Sequence, residues 1–227
     1  MSRTDWRSLS KEEKEKFYAE VASELTANRR TLFEEKIKYR TRHISLALED
    51  MMKTQNASAL LRTADAFGVH RVDVYDKNER FNVSAGISKG VEKWLDVEFF
   101  NTYNEGGVET WATSLKATGK KLYVTALNDQ AKPLHEIDPS IPAVICFGNE
   151  QEGASEELMN AADELVYIPM KGFVESFNVS VSCGIALHHL TLGMDQAGIP
   201  RGLSPEDEID TKIEWALRSI PNPHRYY

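Results

Sequence analysis

The stretch that decides the fold of this chain is GNEQEGASEELMNAADELVYIPMKGFVESFNVSVSCGIALHHL, residues 148–190. It contains two glycine-marked loops around a short apolar run, and it opens a long apolar helix near Ser176. Small residues and exposed backbone N–H groups at helix starts are typical of ligand-binding loops. We therefore expect the functional site here.

Upstream of this stretch, short apolar strands alternate with helices. We predict strands at residues 44–48, 72–75, 97–100, 121–127, 143–147 and 165–169, and helices at 57–67, 108–117, 154–162 and 178–196. This alternation predicts an α/β fold with an open parallel sheet and helices on both faces. Ligands bind such sheets beyond the carboxyl ends of the strands, here in the loops after Leu127, Phe147 and Ile168.

The residues on either side of this sheet are predicted to be extensions. We divide the chain into an N-terminal helical, basic extension (1–42), a central domain (43–198) and a C-terminal extension (199–227). The 227 residues suffice for one α/β domain, and two would be a tight fit. No apolar run reaches the roughly 18 residues of a membrane span, and the charged N-terminus lacks the core of a signal peptide. We expect a cytoplasmic protein without a membrane partner.

The common motifs for metals and nucleotides are absent from the sequence. Cys146 and Cys183 lie in apolar runs, which favours buried free thiols. His188 and His189 are adjacent, so on a helix they would point in different directions. We expect no metal. No P-loop, G-x-G-x-x-G, G-x-S-x-G or H-E-x-x-H pattern is present.

Charge is unevenly distributed along the chain. The net charge is −8, yet residues 1–42 carry 11 Lys+Arg against 8 Asp+Glu. The positive charge is concentrated in a basic segment consisting of Arg29, Arg30, Lys36, Lys38, Arg40 and Arg42. A local basic segment of this kind can bind nucleic acid or can be a solvated helix face, and charge alone leaves both interpretations open.

Three blocks of sequence are informative when they are taken together. Any one of them would be a weak signal, but their internal spacing and their order along the chain make the set specific. They are NASALLRTADAFG at 56–68, FGNEQEG at 147–153 and IPMKGFVESFNVSV at 168–181. Together they resemble the three motifs of the SPOUT RNA methyltransferases, and the chain is most similar to the TrmH group of ribose 2′-O-methyltransferases. The resemblance extends from about Arg29 to Gly198.

The resemblance implies a fold that the periodicity of the sequence does not. In SPOUT proteins the C-terminal segment passes through a loop to form a deep trefoil knot, here at about residues 145–190, whereas knots are nearly absent among proteins in general. The resemblance also implies that S-adenosylmethionine binds among the knotted loops. It further implies a homodimer with the active site at the subunit interface.

The resemblance assigns catalytic roles to five residues. Arg62 matches the catalytic arginine; a guanidinium with a pKa above about 12 is a poor base, so it would hold a phosphate and orient the 2′-hydroxyl. Asn56 would fix the loop near Arg62, although it can also cap a helix beginning at Ala57. Glu150 would support the pocket or stabilise the helix that follows it. Ser176 and Asn178 would cap the long helix and contribute to the catalytic site.

The resemblance assigns cofactor contacts to the three loops at the strand ends. These contacts are Thr125, Ala126, Leu127, Gly148, Glu150, Ile168, Met170, Gly172 and Phe177. Backbone groups in such loops read the adenine edge, so side-chain identity is only partly diagnostic. Mg²⁺ is not required, because methyl transfer from a sulfonium needs no Lewis acid.

The RNA substrate is less well constrained than the reaction. TrmH-group enzymes carry arginines late in the C-terminal helix, where this chain has Leu192 and Met194, and Phe177 replaces the usual leucine. We predict that the basic segment grips tRNA and that the D-loop guanosine, nucleotide 18, is methylated. The alternatives are ribosomal RNA, a catalytically inactive RNA-binding protein, and an unrelated metabolic α/β enzyme. Ribosomal RNA enzymes often carry an added N-terminal domain, for which residues 1–42 are too short.

Overall fold

The chain forms two compact units in a computed structural model that describes residues 5–77, 80–100 and 106–226. The larger unit comprises residues 42–200, and the smaller unit combines the residues up to 41 with those from 201 onwards. Most of the two predicted extensions, 1–42 and 199–227, is therefore found in one unit, while residues 42, 199 and 200 belong to the larger unit. Residues 1–4 and 227 lie outside the described residues.

The described part of the larger unit is built on a seven-stranded parallel sheet. The strands in chain order are β1 (Ile44–Glu49), β2 (Arg71–Tyr75), β3 (Asp96–Phe100), β4 (Lys121–Thr125), β5 (Lys132–Pro133), β6 (Ala143–Phe147) and β7 (Glu164–Tyr167). Their order across the sheet is β3-β2-β1-β6-β4-β7-β5, and every pair is parallel. The predicted parallel sheet is confirmed.

Helices cover both faces of this sheet. The helices in chain order are α1 (Lys11–Ser23), α2 (Ala27–Lys36), α3 (Thr54–Ala66), α4 (Ala85–Ser88), α5 (Val108–Ala117), α6 (Glu156–Ala161), α7 (Val179–Gln196) and α8 (Pro205–Leu217). Side chains alternate along each strand, so Ile145 of β6 packs with α3 and α7, while Val144 and Cys146 pack with α5 and α6. As predicted, Cys146 and Cys183 are buried free thiols, and burial raises the pKa of both.

Three features of the larger unit differ from the sequence predictions. β4 ends at Thr125 rather than at Leu127, because residues 126–128 leave the sheet to line a cavity. The short α4 and the two-residue β5 were not predicted. Finally, α3 begins at Thr54, so Asn56 lies inside its first turn and is not the N-cap; Lys53 occupies that position without a side-chain cap.

The smaller unit is a helical cluster. α1 and α8 lie against each other, and Lys14 of α1 is paired with Asp210 of α8 at 2.7 Å. The ring of Phe33 in α2 packs edge-on against Trp215 in α8, with centroids 5.3 Å apart. Among the described residues, no helix combines the length and the apolar character needed to cross a membrane.

Two glycines within α7 provide a matched test of its packing. A Cβ atom at Gly193 would lie 2.7 Å from the ring of Pro139, whereas one at Gly184 would meet only a methyl of Thr63 at 3.9 Å. Both changes to alanine gain about 1 kcal/mol of helix propensity, but Gly193→Ala also overpacks a rigid ring, which typically costs about 1–3 kcal/mol. We expect Gly184→Ala to raise the free energy of unfolding. The free energy of unfolding of Gly193→Ala should be about 1–3 kcal/mol lower than that of Gly184→Ala. Urea denaturation measures both; equal stability would show that Pro139 moves aside.

Candidate active site

A cavity of about 440 Å³ lies at the carboxyl ends of β4, β6 and β7. The loops that follow these three strands form its wall, at the edge of the sheet where the sequence predicted a ligand. It is lined by eight of the nine residues predicted to contact a cofactor, namely Thr125, Ala126, Leu127, Gly148, Glu150, Ile168, Met170 and Phe177. The ninth, Gly172, is not among the lining residues.

The loop after β6, residues 148–154, is held in a tight conformation and is called the cofactor loop below. A Cβ atom at Gly148 would lie 2.2 Å from the backbone nitrogen of Ala154, so only glycine fits where the loop closes on itself. Asn149 fixes the first half, because its Nδ2 donates to the carbonyl of Asp50 at 3.1 Å. Its backbone carbonyl accepts from Gly153 at 2.9 Å. The loop therefore closes through contacts of its own backbone.

Glu150 is the carboxylate around which the site is arranged. It accepts hydrogen bonds from the backbone N–H groups of Met52 (3.0 Å) and Lys53 (3.1 Å) and from the Nδ2 of Asn56 (2.9 Å). Burial by itself raises the pKa of Glu150, but the hydrogen bonds from Met52, Asn56 and Lys53 outweigh it and hold the pKa below its ordinary 4.5. Glu150 is thus ionised at neutral pH. It also supplies the acceptor at the start of α3 that Asn56 was expected to supply.

The two amides that follow Glu150 have a defined orientation. A carboxylate only accepts hydrogen bonds, so Asn56 must present its NH2 group to Glu150 and its oxygen to the other side. There Asn178 donates its Nδ2 to the Asn56 oxygen at 3.2 Å. The remaining oxygen of Asn178 accepts the backbone N–H of Ser180 at 2.9 Å and so caps α7, as predicted. One chain of hydrogen bonds therefore joins all three motifs.

The other residues predicted to be catalytic lie apart from this chain. Ser176 is exposed, lines the cavity and makes no side-chain hydrogen bond with the described part of the protein, so it does not cap α7. Arg62 is exposed on α3 and donates to the carbonyl of Ile87 at a long 3.4 Å. Its guanidinium has no carboxylate partner within residues 5–77, 80–100 and 106–226. Arg62 does not line the cavity of its own chain.

The basic segment is only partly available to a ligand. Lys36 and Lys38 are exposed and have no carboxylate partner among the described residues, while Arg29 is half-buried. Arg30 donates to two backbone carbonyls at the end of α1. Arg40 is 5% exposed and holds its guanidinium 5.2 Å from the Trp215 ring, so it serves packing within the smaller unit.

Arg42 belongs to the larger unit and is engaged there. Its Nη2 lies 3.5 Å from a carboxylate oxygen of Asp96, which also pairs with Arg71 at 3.1 Å. The late positions of α7 differ from each other as well, since Leu192 is exposed and Met194 is fully buried in the core. The sequence did not predict that Arg42 is paired, or that Leu192 is exposed and Met194 buried.

The cavity is acidic. Three carboxylates line it, Glu150, Glu152 and Glu175, and none of the described lining residues is Lys, Arg or His. Such a wall disfavours a phosphate-bearing nucleotide and favours a ligand with positive charge. Sequence reasoning missed Glu152 and Glu175 as lining residues, although both lie inside the quoted motifs. Among the described residues, no cluster of His, Cys, Asp and Glu could hold a metal ion.

Comparisons with known proteins agree with this arrangement. The SpoU rRNA Methylase family matches residues 43–188. The chain is 35% identical over 198 residues to the tRNA (guanosine(18)-2′-O)-methyltransferase of Thermus thermophilus, covering 85% of this chain and 97% of that protein. The solved A. aeolicus TrmH/SpoU tRNA modifying enzyme is similar with a TM-score of 0.76 and 28% identity, over 85% of this chain and 97% of that one. An AdoMet-bound rRNA methyltransferase from Sinorhizobium meliloti matches with a TM-score of 0.54 and 25% identity, over 65% and 55%.

Replacing Glu150 by glutamine tests the ionised acceptor. Glutamine is uncharged and keeps only one oxygen acceptor, so its NH2 group faces at least one of the three donors. We therefore expect the free energy of unfolding at pH 7 to fall by about 1 kcal/mol. The pKa of Glu150 in the folded protein lies below 4.5, so its contribution is present above pH 4.5 and is lost as the pH falls through the folded value. Urea unfolding at pH 7 and near pH 3.5 should show a difference that shrinks in acid. The control Glu152→Gln removes an exposed carboxylate of the same loop. If Glu150→Gln lowers the free energy of unfolding equally at both pH values, the assignment of Glu150 as an ionised acceptor is wrong.

Proposed function

The chain belongs to the SpoU rRNA Methylase family, and from that premise we propose that it methylates the ribose 2′-oxygen of guanosine 18 in tRNA, using S-adenosylmethionine. The observation that carries the proposal is the acidic cavity formed by the three motif loops at the carboxyl ends of β4, β6 and β7. The T. thermophilus tRNA enzyme matches along 97% of its length and the S. meliloti rRNA enzyme along 55%, which favours tRNA over ribosomal RNA.

The cavity fits S-adenosylmethionine in size and charge. Small-molecule sites occupy roughly 300–1,000 Å³, and this one has about 440 Å³. The molecule carries a sulfonium and an ammonium group, which suit the carboxylates of Glu150, Glu152 and Glu175. Ile168 and Met170 offer an apolar wall for the adenosine. When bound, the cofactor supplies a methyl group activated by the positive sulfur.

The residues of the chain then have separable tasks. Glu150, Asn56 and Asn178 keep the three loops in register, because each hydrogen bond fixes the orientation of the next amide. Arg62 offers a permanently charged planar fork that matches a phosphate, so it holds the RNA backbone beside the target ribose and orients the hydroxyl. The hydroxyl of Ser176, which bonds to no other described residue, lies at the cavity wall, where it can contact the acceptor.

Two subunits are proposed to complete the site, since Arg62 does not line the cavity of its own chain. α7 carries an outward stripe at helical spacing: Val181 and Leu192 are 48% and 45% exposed, with Ile185 and His188 between them. Exposed apolar stripes of this kind are typical of protein interfaces. Sedimentation at micromolar concentration should give a dimer, and a stable monomer would contradict the proposal.

The trefoil knot at residues 145–190 is likewise proposed. Similarity to the TrmH/SpoU enzyme with a TM-score of 0.76 supports it, together with the position of β6 between β1 and β4 in the sheet. Pulling the protein mechanically from residues 43 and 198 should leave a contour shorter than the fully extended chain, because a knot tightens without opening. A full-length contour would contradict the knot.

Transfer of labelled methyl groups tests the reaction and its acceptor. We expect label in unmodified tRNA, none in the same tRNA with 2′-deoxyguanosine at position 18, and none in 23S ribosomal RNA. Arg62→Ala should lower kcat/KM by about 100-fold or more, as loss of an oriented charge does in other active sites. It should leave binding of S-adenosylmethionine unchanged. Arg62→Lys keeps the charge without the fork and is expected to recover only part of the activity. Full activity of Arg62→Ala would overturn this role.

The contribution of Lys36 and Lys38 to RNA binding can be measured by salt dependence. Each lysine that neutralises a phosphate adds about 0.7–0.9 to the slope of log affinity against log salt. The double variant Lys36→Ala, Lys38→Ala should therefore have a slope shallower by about 1.4–1.8 in filter binding to tRNA. Lys16→Ala, an exposed change on α1, serves as the control. An unchanged slope in the double variant would show that Lys36 and Lys38 do not contact the phosphates of the tRNA.

A further inference from the structure

We propose that Glu49, a buried carboxylate outside the cavity, is a positioning residue that clasps Ser155 and thereby holds the cofactor loop in its binding shape. The inference rests on the proposed function only for the identity of the ligand, S-adenosylmethionine.

Both carboxylate oxygens of Glu49 accept hydrogen bonds from the same residue, Ser155. It is the last residue of β1 and is 3% exposed. One oxygen accepts the backbone N–H of Ser155 at 2.9 Å, and the other accepts its hydroxyl at 2.5 Å. The Ser155 oxygen in turn accepts the N–H of Leu158 at 3.2 Å and so caps α6. The clasp therefore fixes both the position and the hydroxyl direction of Ser155.

Ser155 is the residue that immediately follows the cofactor loop. Every residue of that loop, 148–154, lines the cavity. Its far end, at Ala154, is pressed against Gly148 at its near end, as the 2.2 Å approach of a Cβ atom shows. A displacement of Ser155 would consequently move the wall that the ligand touches.

The short segment 49–53 holds the cofactor loop at both ends. At the near end, the Asp50 carbonyl accepts from Asn149, and the N–H groups of Met52 and Lys53 donate to Glu150. At the far end, Glu49 holds Ser155. Each of these bonds joins residues about a hundred positions apart in the chain. The end of β1 and the residues after it therefore support the loop that follows β6.

A packing role alone does not explain a carboxylate at this position. Glu49 has no cationic partner within 4 Å among the described residues, and burying an unpaired charge is unfavourable. The charged and titratable groups around it, in the hollow it borders and in the strand behind it, are Asp50, Tyr75, Lys77, Glu109, Glu157 and Cys146. Burial raises the pKa of Glu49 above its ordinary 4.5, and the nearby Asp50 and Glu157 add to this shift.

The direction of this shift separates a positioning role from a stabilising one. A group with a raised folded pKa stabilises the fold in acid, and that contribution is lost as the pH rises through the folded value. Ionised Glu49 therefore lowers stability at neutral pH while it accepts both bonds from Ser155. Protonation adds stability but removes one acceptor from the clasp. Stability and ligand affinity should move in opposite directions as Glu49 titrates, above pH 4.5.

The test is calorimetric titration of S-adenosylmethionine into the full chain carrying Glu49→Gln. We expect the dissociation constant to rise about tenfold at pH 7.5, the effect of one lost charged hydrogen bond, without a loss of stability to urea. Glu157→Gln removes a neighbouring exposed charge that makes no bond to the loop, and it should bind as the wild type does. Ser155→Ala should weaken binding as Glu49→Gln does, and Ser155→Thr, which keeps the hydroxyl, should restore it.

Acidification and hydrogen exchange complete the test. Wild-type affinity should fall as the pH drops from 7.5 towards 4.5, because the pKa of Glu49 is raised above that value, while the affinity of Glu49→Gln stays flatter. Amide hydrogen exchange of residues 148–155 should be faster in Glu49→Gln than in Glu157→Gln, with no ligand present. Unchanged exchange together with unchanged affinity would overturn the clasp. Faster exchange in a protein that binds no S-adenosylmethionine would keep the clasp and overturn the proposed function.

Discussion

The hydrogen-bond chain from Glu150 through Asn56 to Asn178 is the interaction on which the site depends. It works because the residue at one end can only accept, so the orientation of every amide after it is determined. Three segments that lie about 30 to 120 residues apart in the chain are thereby held in one arrangement, and one of them is the start of α7, the longest of the described helices. Its electrostatic consequence is that Glu150 remains ionised although it is partly buried.

The site separates negative from positive charge. The cavity is lined by carboxylates, whereas Arg62 of the same unit is exposed and does not line it. This division suits a reaction in which a cationic methyl donor meets a polyanionic acceptor, because each reactant meets residues of opposite sign. It also accounts for a net charge of −8 in an enzyme that acts on RNA, since distribution matters more than the total.

The strand β1 connects this chemistry to the scaffold. Its last residue, Glu49, and the residues that follow it up to Lys53 provide donors and acceptors to the loop after β6. Parallel sheets place such strand ends side by side, so a loop can be supported by its neighbour without additional secondary structure. The tight approach of Gly148 to Ala154 then leaves the loop little room to relax.

The parallel sheet, the loops that form the cavity, the buried thiols of Cys146 and Cys183 and the cap at Asn178 were all predictable from the sequence. Each depends on local periodicity or on neighbours within a few residues. The folded structure was needed to show that Asn56 bonds to Glu150 instead of capping α3, and that Glu49 bonds to Ser155. It also decided that Arg40 is buried over Trp215 while Lys38 is exposed. These outcomes depend on residues distant in the chain, and a polar side chain takes the partner that folding brings to it.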